Sequence, residues 1–457
     1  MKVIVCGAGQ VGTSIVSHLA AEDNDVTVID QSPELVRKIS EAFDVRAMEG
    51  FASHPDVLEA AGIRDADMII AVTYADEVNM VACQIAHALF EVPTTIARIR
   101  HQSYLDPVWS ELYSRDHMAI DVIISPEIEV ARAIMRRLDV PGAFDMLPMA
   151  DGKVRVIGVR CTEDTPIVHT PLRQLTQLFP DLNIIVIGIV RDGHGMVPST
   201  DDHMLPGDEV YFVAETDHVS RAMSTFGHEE KAARRIVVLG GGNIGRYLAR
   251  QIDKHPGVSA KVIEFDKAKA ELAAAELDHT IVLHGDALDP QILEEANVSS
   301  AEAVVAVTND DEVNILASLL AKRAGCQRAI TLINKTTFSP LMTSLGIDVT
   351  VSPRAITVST ILQHIRRGRI RAVHSLRDGF GEVIEAEALE TSPVVGRALR
   401  DIDFPDGVII GALVRDGAVI IPRGDTVVKP KDRVVLFAIA SAVKAIERMF
   451  SVRLEYF

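Results

Sequence analysis

Cysteine is scarce in this chain of 457 residues, and the four that occur lie far apart. No CxxC pair occurs among Cys6, Cys83, Cys161 and Cys326, so the sequence predicts neither a disulfide framework nor a zinc site. The 15 histidines show no HExxH or other ligand spacing, and we therefore expect no bound metal. Scattered cysteines without a pairing pattern favour a reducing, cytoplasmic compartment.

Basic residues and long apolar runs are also in short supply. The chain has 46 Lys and Arg residues against 64 Asp and Glu residues, which gives a net charge of −18. Because affinity for phosphate backbones comes mainly from basic side chains, we expect no nucleic acid partner. No apolar run approaches the roughly 18 residues of a membrane-spanning helix, and no signal peptide precedes the first predicted strand. Any role at a membrane would then depend on a partner protein.

Aromatic residues make up only 5% of a chain that is 48% hydrophobic. An apolar content carried by Val, Ile, Leu and Ala is typical of an α/β protein and unlike a disordered chain. Short apolar runs alternate with helical patterns through residues 2–138, which predicts a doubly wound parallel sheet. Length alone favours about three domains.

The first thirty residues have the pattern of a nucleotide-binding βαβ unit. The apolar run Lys2–Cys6 is followed by the GxGxxG sequence Gly7–Gly12, and the next apolar strand ends at Asp30. In such a unit the first glycine allows a tight turn, the second lets a pyrophosphate approach, and the third packs the helix closely on the strand. The acid can accept both ribose hydroxyls, and it favours NAD over NADP because it would repel a 2′-phosphate.

A near copy of this unit occurs in the second half of the chain. A second GxGxxG at Gly240–Gly245 follows an apolar run, and Glu264 stands where Asp30 stands in the first copy. The segment Thr308–Asn314 repeats Thr73–Asn79 almost letter for letter. Self-similarity of this extent predicts an internal duplication.

Each glycine-rich lobe is followed by a shorter, strand-rich lobe, and these two lobes also resemble each other. The turn Leu413–Gly417 (LVRDG) matches Ile189–Gly193 (IVRDG). The sequence therefore predicts two tandem Rossmann-like lobes with doubly wound parallel sheets, each followed by a small α+β lobe. The predicted boundaries are 1–140 and 233–370 for the Rossmann lobes, and 150–218 and 372–457 for the small lobes.

Two local predictions concern how elements join. The segment Asp139–Asp151, which contains two prolines and one glycine, is interpreted as a connector. Residues 73–79 are interpreted as the turn that begins a helix at Met80. Helix capping explains Thr73 and the acids that follow it, although contact with a nicotinamide ribose or a neighbouring subunit is the alternative.

Two arginines flank the end of a strand in the first lobe. Arg98 and Arg100 fall at the carboxyl edge of the predicted sheet, where ligands bind in open α/β folds, so they could meet phosphates. The alternative is a solvated or interface salt bridge. Their counterparts, Leu332 and Asn334, are uncharged, and any such role would belong to the first half alone.

The paired glycine motifs, the repeated Thr-x-x-Asp-Glu-x-Asn segment and the Val-Arg-Asp-Gly turn resemble those of tandem members of the regulator-of-potassium-conductance family. The resemblance covers essentially the full length. It implies that the large lobes bind NAD(H), or alternatively ATP or ADP, and that the small lobes are regulatory. It also implies a cytoplasmic ring, here a homotetramer, held at the inner face of the cell membrane by an integral potassium-translocating subunit.

The chain departs from the pattern of that family at two places. Many relatives have Arg after the second glycine, whereas this chain has Gln10 and Asn243, which argues against sensing a third phosphate by that route. The second half has the common Gly-Asp-Ala sequence with Asp286, but Phe51 replaces the acid in the first half. We therefore expect two unequal nucleotide sites.

The predicted nucleotide-binding residues come from both glycine-rich lobes. In the first lobe they are Gly7, Ala8, Gly9, Gln10, Val11, Gly12, Asp30, Thr73, Arg98 and Arg100. In the second lobe they are Gly240, Gly242, Asn243, Ile244, Gly245, Glu264, Asp286 and Thr308.

The hypothesis drawn from the sequence is a nucleotide-binding regulator without catalytic residues. Nucleotide binding would change the relative orientation of the lobes and bias a membrane partner towards an open or closed state. The alternative is a cytosolic NAD-dependent oxidoreductase, which would need a general acid or base and an anion-binding arginine that the small lobes do not offer. The basic run Arg366–Arg371 is either a solvated helix end or a contact with an acidic partner or lipid headgroups.

Overall fold

A computed structural model describes residues 1–21, 24–179, 182–342, 344–365, 370–376 and 380–450. Residues 366–369 of the predicted basic run lie outside the described residues. The chain forms two compact units, Met1–Ala131 with Ser352–His364, and Arg132–Val351 with Ile365–Phe457. Within the described ranges, no helix combines the length and the apolar character needed to cross a membrane.

The first unit contains a parallel sheet of six short strands. These strands are β1 (Lys2–Cys6), β2 (Asp25–Asp30), β3 (Arg46–Glu49), β4 (Met68–Ala71), β5 (Thr94–Arg98) and β6 (Val122–Ile124). The helices that connect or follow them are α1 (Gln10–Ala21), α2 (Pro33–Ala42), α3 (Pro55–Ala60), α4 (Asp76–Phe90) and α5 (Pro126–Asp139). The strand order is β3-β2-β1-β4-β5-β6, the order of a Rossmann fold.

Apart from Lys2 at the start of β1, strands β1 and β4 at the centre of this sheet are apolar, as expected for strands covered by helices on both faces. Residues Val3 to Cys6 of β1 and Ile69 to Ala71 of β4 are each at most 2% exposed. Burial raises the pKa of the Cys6 thiol to about 12, which keeps it protonated and unreactive. Helix α4 begins at Asp76 rather than at Met80, so the prediction of a turn over residues 73–79 is wrong for residues 76–79. Asp76 and Glu77 lie in the first turn of α4, where the positive end of the helix dipole favours negative charge.

A sheet of five antiparallel strands follows. Its strands and helices are β7 (Ala143–Met149), β8 (Val154–Arg160), α6 (Leu172–Leu178), β9 (Ile184–Arg191), β10 (His194–Met196), β11 (Glu209–Glu215) and α7 (Val219–Thr225). The strand order is β10-β9-β11-β8-β7. The prediction of a connector at 139–151 is therefore wrong, because β7 fills most of it. This strand tolerates Pro148 because it lies at the edge of the sheet, where a missing N–H costs no ladder hydrogen bond.

The second half repeats both sheets. The second parallel sheet consists of β12 (Arg235–Leu239), β13 (Ser259–Glu264), β14 (Ile281–His284), β15 (Ala303–Ala306), β16 (Arg328–Leu332) and β17 (Val349–Val351), in the order β14-β13-β12-β15-β16-β17. Its helices are α8 (Asn243–Ile252), α9 (Lys267–Glu276), α10 (Pro290–Glu295), α11 (Asp311–Arg323), α12 (Ser339–Met342) and α13 (Pro353–Ile365). The predicted duplication and fold class are confirmed.

The second antiparallel sheet packs against the first within the second unit. Its elements are β18 (Ile370–Leu376), β19 (Gly381–Glu387), β20 (Val408–Arg415), β21 (Ala418–Ile420), β22 (Arg433–Ile439) and α14 (Val443–Phe450). Tyr211 and Val213 of one sheet share a buried core with Val383 and Phe437 of the other. At the border of this core, the buried Glu385 carboxylate accepts from Arg433 Nε at 2.6 Å and from the Ala150 N–H at 2.7 Å.

Candidate functional site

The first glycine turn lies at the carboxyl ends of β1 and β4, where the strand order reverses and ligands bind in open α/β sheets. Gly7 has a φ of +110°, and a Cβ there would come within 3.0 Å of the backbone N of Thr73. A Cβ on Gly12 would lie 1.8 Å from the carbonyl oxygen of Gly7. By contrast, a Cβ on Gly9 would have no atom within 4 Å. The first and third glycines are thus required by packing, and the second faces open space.

The second lobe repeats this geometry closely. Gly240 also has a φ of +110°, and its Cβ would lie 3.0 Å from the backbone N of Thr308. A Cβ on Gly245 would be 1.9 Å from the Gly240 carbonyl oxygen, whereas one on Gly242 would meet nothing within 4 Å. Both turns therefore leave a backbone surface beside a helix N-terminus that an anion can approach.

The acid at the end of the second strand is bonded to the glycine turn in both lobes. The Ala8 N–H donates to Asp30 Oδ2, and the Gly241 N–H donates to Glu264 Oε2, each at 2.6 Å. The other carboxylate oxygen accepts from the backbone N–H two residues further along the chain, at 2.8 and 2.9 Å respectively. A carboxylate oxygen has two lone-pair sites, so each acid keeps acceptor capacity for a ribose hydroxyl.

The repeated Thr-to-Asn segment joins the ends of two neighbouring strands. Asn79, which is fully buried, accepts from the Thr73 N–H and hydroxyl at 2.8 and 2.7 Å, and donates to the Arg98 carbonyl at 2.9 Å. Asn314 bonds Thr308 in the same way. In the first lobe the N-cap of α4 has no side-chain cap hydrogen bond, so capping does not explain this threonine. The segment instead fixes the backbone at Thr73, against which Gly7 packs.

Asp76, the first residue of α4, has a structural role that its position in the helix does not reveal. Its buried carboxylate accepts from the backbone N–H groups of Arg100 and His101 at 2.9 and 2.8 Å. Asp311 accepts from the two matching N–H groups of the second lobe. The sequence favoured helix capping for Asp76, with contact to a nicotinamide ribose or a neighbouring subunit as the alternative. The repeat of the acid in both halves was the one signal that could have indicated these backbone hydrogen bonds.

The two arginines predicted at this edge have different surroundings. Arg98 Nη2 donates to the Thr73 carbonyl at 2.8 Å, and its Nε is buried without a hydrogen-bond partner. Burial lowers the pKa of the Arg98 guanidinium. Arg100 Nε donates to the buried carboxylate of Glu127 at 3.0 Å, which is the salt bridge predicted as the alternative.

The remaining predicted residues lie on the same edges of the two sheets. Gln10 and Asn243 are exposed first residues of α1 and α8, each followed by the predicted apolar residues Val11 and Ile244. Asp286 is exposed and accepts from the Leu288 N–H at 2.9 Å.

Phe51, which occupies the place of Asp286 in the first lobe, is 52% exposed, and its ring centroid lies 5.3 Å from that of His54. The structure thus connects the glycine turn, Asp30, Thr73 and Arg98, while Arg100 is paired with Glu127. In the described part of the chain, no group of three His, Cys, Asp or Glu side chains could hold a metal ion.

Comparison with known proteins gives matches along the whole chain. The TrkA-N domain model matches residues 3–126 and 236–353, and the TrkA-C domain model matches residues 156–227 and 383–451. The chain is 54% identical to the Trk system potassium uptake protein TrkA of Azorhizobium caulinodans, with 100% of both chains covered.

Two solved structures share the fold. The GsuK RCK domain aligns with a TM-score of 0.60 at 17% identity, covering 99% of this chain and 95% of that one. The GsuK channel bound to NAD aligns with a TM-score of 0.59 at 16% identity, covering 99% and 79%.

Proposed function

This chain belongs to the family of the Trk system potassium uptake protein TrkA, and from that membership we propose that it is a nucleotide-binding regulatory subunit of a potassium uptake system. It acts from the cytoplasm as a homotetramer, bound to the inner face of the cell membrane through an integral potassium-translocating partner. Binding of NAD(H), or of ATP or ADP, to its Rossmann lobes changes their conformation and thereby gates the partner.

The observation that carries this proposal is the duplicated glycine turn with its bonded acid. Each turn has a second glycine that faces open space, and each lies where the strand order of a Rossmann sheet reverses. The GsuK channel, which shares the fold, is described as bound to NAD. We assign the pyrophosphate to the two glycine turns and the ribose to Asp30 and Glu264.

The two sites are proposed to differ in affinity. Arg98 lies behind Thr73 in the first lobe, whereas the second lobe has Leu332 at that position. An exposed phenylalanine replaces Asp286 beside the first acid. The first site therefore has an arginine that the second site lacks, and it lacks an aspartate that the second site has. The two sites need not bind the same nucleotide.

The ligand is proposed to act as a signal rather than as a redox cofactor. The polar groups that surround the first glycine turn are engaged in holding the backbone. The Thr73 hydroxyl donates to Asn79, Asn79 donates to the Arg98 carbonyl, and Asp76 accepts from the Arg100 N–H. A dehydrogenase would need a free acid or base at the hydride path. Purified protein should bind NADH without oxidising it against a panel of carbonyl substrates, and turnover would support the oxidoreductase alternative instead.

Replacing Asp30 with asparagine should weaken nucleotide binding at the first site by about tenfold or more. Asparagine keeps one acceptor oxygen, but its amide cannot accept from the second of the two backbone N–H donors, so we also expect a loss of about 1 kcal/mol in unfolding free energy. Calorimetric titration of the full chain with NADH measures the affinity and number of sites. Glu264→Gln is the matched variant for the second site, and unchanged binding in both variants would contradict the assignment.

Gating requires that the nucleotide and the membrane partner influence each other. If the nucleotide biases the partner, then the partner must change nucleotide affinity by the same factor. Co-purification with an integral membrane protein, followed by titration of NADH and ADP with and without it, tests this linkage. Equal affinities in both conditions would reject gating while leaving nucleotide binding intact.

A further inference from the structure

Helix α13 brings an arginine from the second half of the sequence into the first nucleotide lobe. This helix follows β17, the last strand of the second parallel sheet, yet residues Ser352–His364 belong to the first unit. Arg354 Nε donates to Ser14 Oγ at 2.6 Å, and Ser14 Oγ donates to the Gln10 carbonyl at 3.0 Å. Two hydrogen bonds therefore connect α13 with the first turn of α1.

The position of Arg354 is electrostatically unusual for a cation. It is the second residue of α13, and helix N-termini carry a positive partial charge that disfavours arginine. The corresponding residue after the Ser-Pro pair of the first half is Glu127, whose negative charge suits such a position. Among the residues that the structure describes, no carboxylate pairs with Arg354. Its charge thus remains available to an anion.

The two arginines predicted at the edge of the first sheet are less suited to binding an anion. Arg100 is paired with Glu127, and Arg98 is largely buried against the Thr73 carbonyl. Gln10, at the start of α1, is neutral. The start of α1 is itself positive, so an anion seated there would be attracted by both the helix and Arg354.

We propose that Arg354 is the phosphate-binding cation of the first nucleotide site. This inference rests on the proposed function, and it adds the residue that sets the preference of that site for phosphate charge. Ser14 holds the guanidinium through Nε, which leaves the two terminal nitrogens to bind phosphate oxygens.

The test compares variants of the full-length chain in a Glu264→Gln background, in which binding at the second site is weakened and the first site dominates the titration. Arg354→Gln keeps a side-chain donor for Ser14 but removes the charge. We expect it to weaken ADP binding about tenfold, because a hydrogen bond to a charged group is lost. The affinity that remains should also depend less on salt than that of the parent. Arg354→Lys, which keeps the charge, should retain most of the affinity and the salt dependence.

The controls separate this inference from the proposed function. Arg37→Gln removes an exposed arginine of α2 and should change neither affinity nor salt dependence. If the parent binds neither NADH nor ADP at the first site, the proposed function fails, and if it binds NADH alone, the same variants are compared with NADH. If the parent binds ADP and Arg354→Gln binds it equally well, the role of Arg354 is refuted. An affinity loss with an unchanged salt dependence would also refute it, because Arg354 would then only position α13.

Discussion

Replacing Gly9 with alanine is expected to weaken nucleotide binding at the first site by about 100-fold while leaving the stability of the protein unchanged. Gly9 has an ordinary negative φ, and an added Cβ would meet no protein atom within 4 Å. The methyl group would instead occupy space that the pyrophosphate needs to reach the backbone. Overpacking of this kind costs about 1–3 kcal/mol, and here the cost arises only in the complex.

Gly12→Ala provides the opposite case on the same turn. Its Cβ would overlap the Gly7 carbonyl oxygen at 1.8 Å, so this variant should lose several kcal/mol of unfolding free energy before any ligand is added. Thermal denaturation without ligand and calorimetric titration with NADH distinguish the two effects. Gly242→Ala and Gly245→Ala repeat the comparison in the second lobe. A Gly9→Ala protein that binds NADH normally would show that the pyrophosphate lies elsewhere.

Replacing Glu385 with alanine should destabilise the second unit by about 3–5 kcal/mol, because it breaks a buried ion pair and leaves one partner uncompensated. Glu385 is 2% exposed, and it accepts from Arg433 and from the Ala150 N–H. The substitution would leave the largely buried Arg433 guanidinium and the buried Ala150 N–H without the carboxylate that accepts from them. Arg433 would keep its contact with the exposed carboxylate of Asp151, which limits the loss.

Urea denaturation of the full chain measures this effect. The matched control is Glu34→Ala, which removes an exposed i,i+4 pair with Lys38 and should leave the denaturation midpoint nearly unchanged because water screens an exposed pair. Equal denaturation midpoints for wild type and Glu385→Ala would mean that the ion pair contributes nothing to the packing of the two antiparallel sheets.

Local sequence patterns predicted most of the Rossmann elements because their strands are short apolar runs bounded by turn residues. β1 was predicted at the residues where it lies, and both glycine turns have the backbone geometry expected of them. β7 was missed because Pro148 is typical of a loop, and only the sheet topology reveals that this strand lies at an edge. Whether a proline interrupts a strand depends on which neighbours pair with it, which no local pattern encodes.

The residues that support the candidate sites were harder to predict than the glycines. Asn79 and Asp76 bond backbone groups of Arg98 and Arg100, more than 18 positions along the chain, so their roles depend on the tertiary fold. Arg354 is 340 positions from Ser14, and nothing in either local sequence indicates the contact. The repeat of Thr73–Asn79 indicated that this segment is constrained. The constraint itself consists of hydrogen bonds to residues distant in the sequence, which a local pattern does not show.

The membership of α13 in the first unit also determines when that unit can be completed on the ribosome. Roughly 220 residues separate Ala131 from Ser352, and translation proceeds at about 5–20 residues per second. The six strands of the first sheet are therefore synthesised at least about ten seconds before the helix that supplies Arg354. Until then the Ser14 hydroxyl lacks its Arg354 donor. A chain terminated after the first small lobe would therefore lack one helix of its first unit.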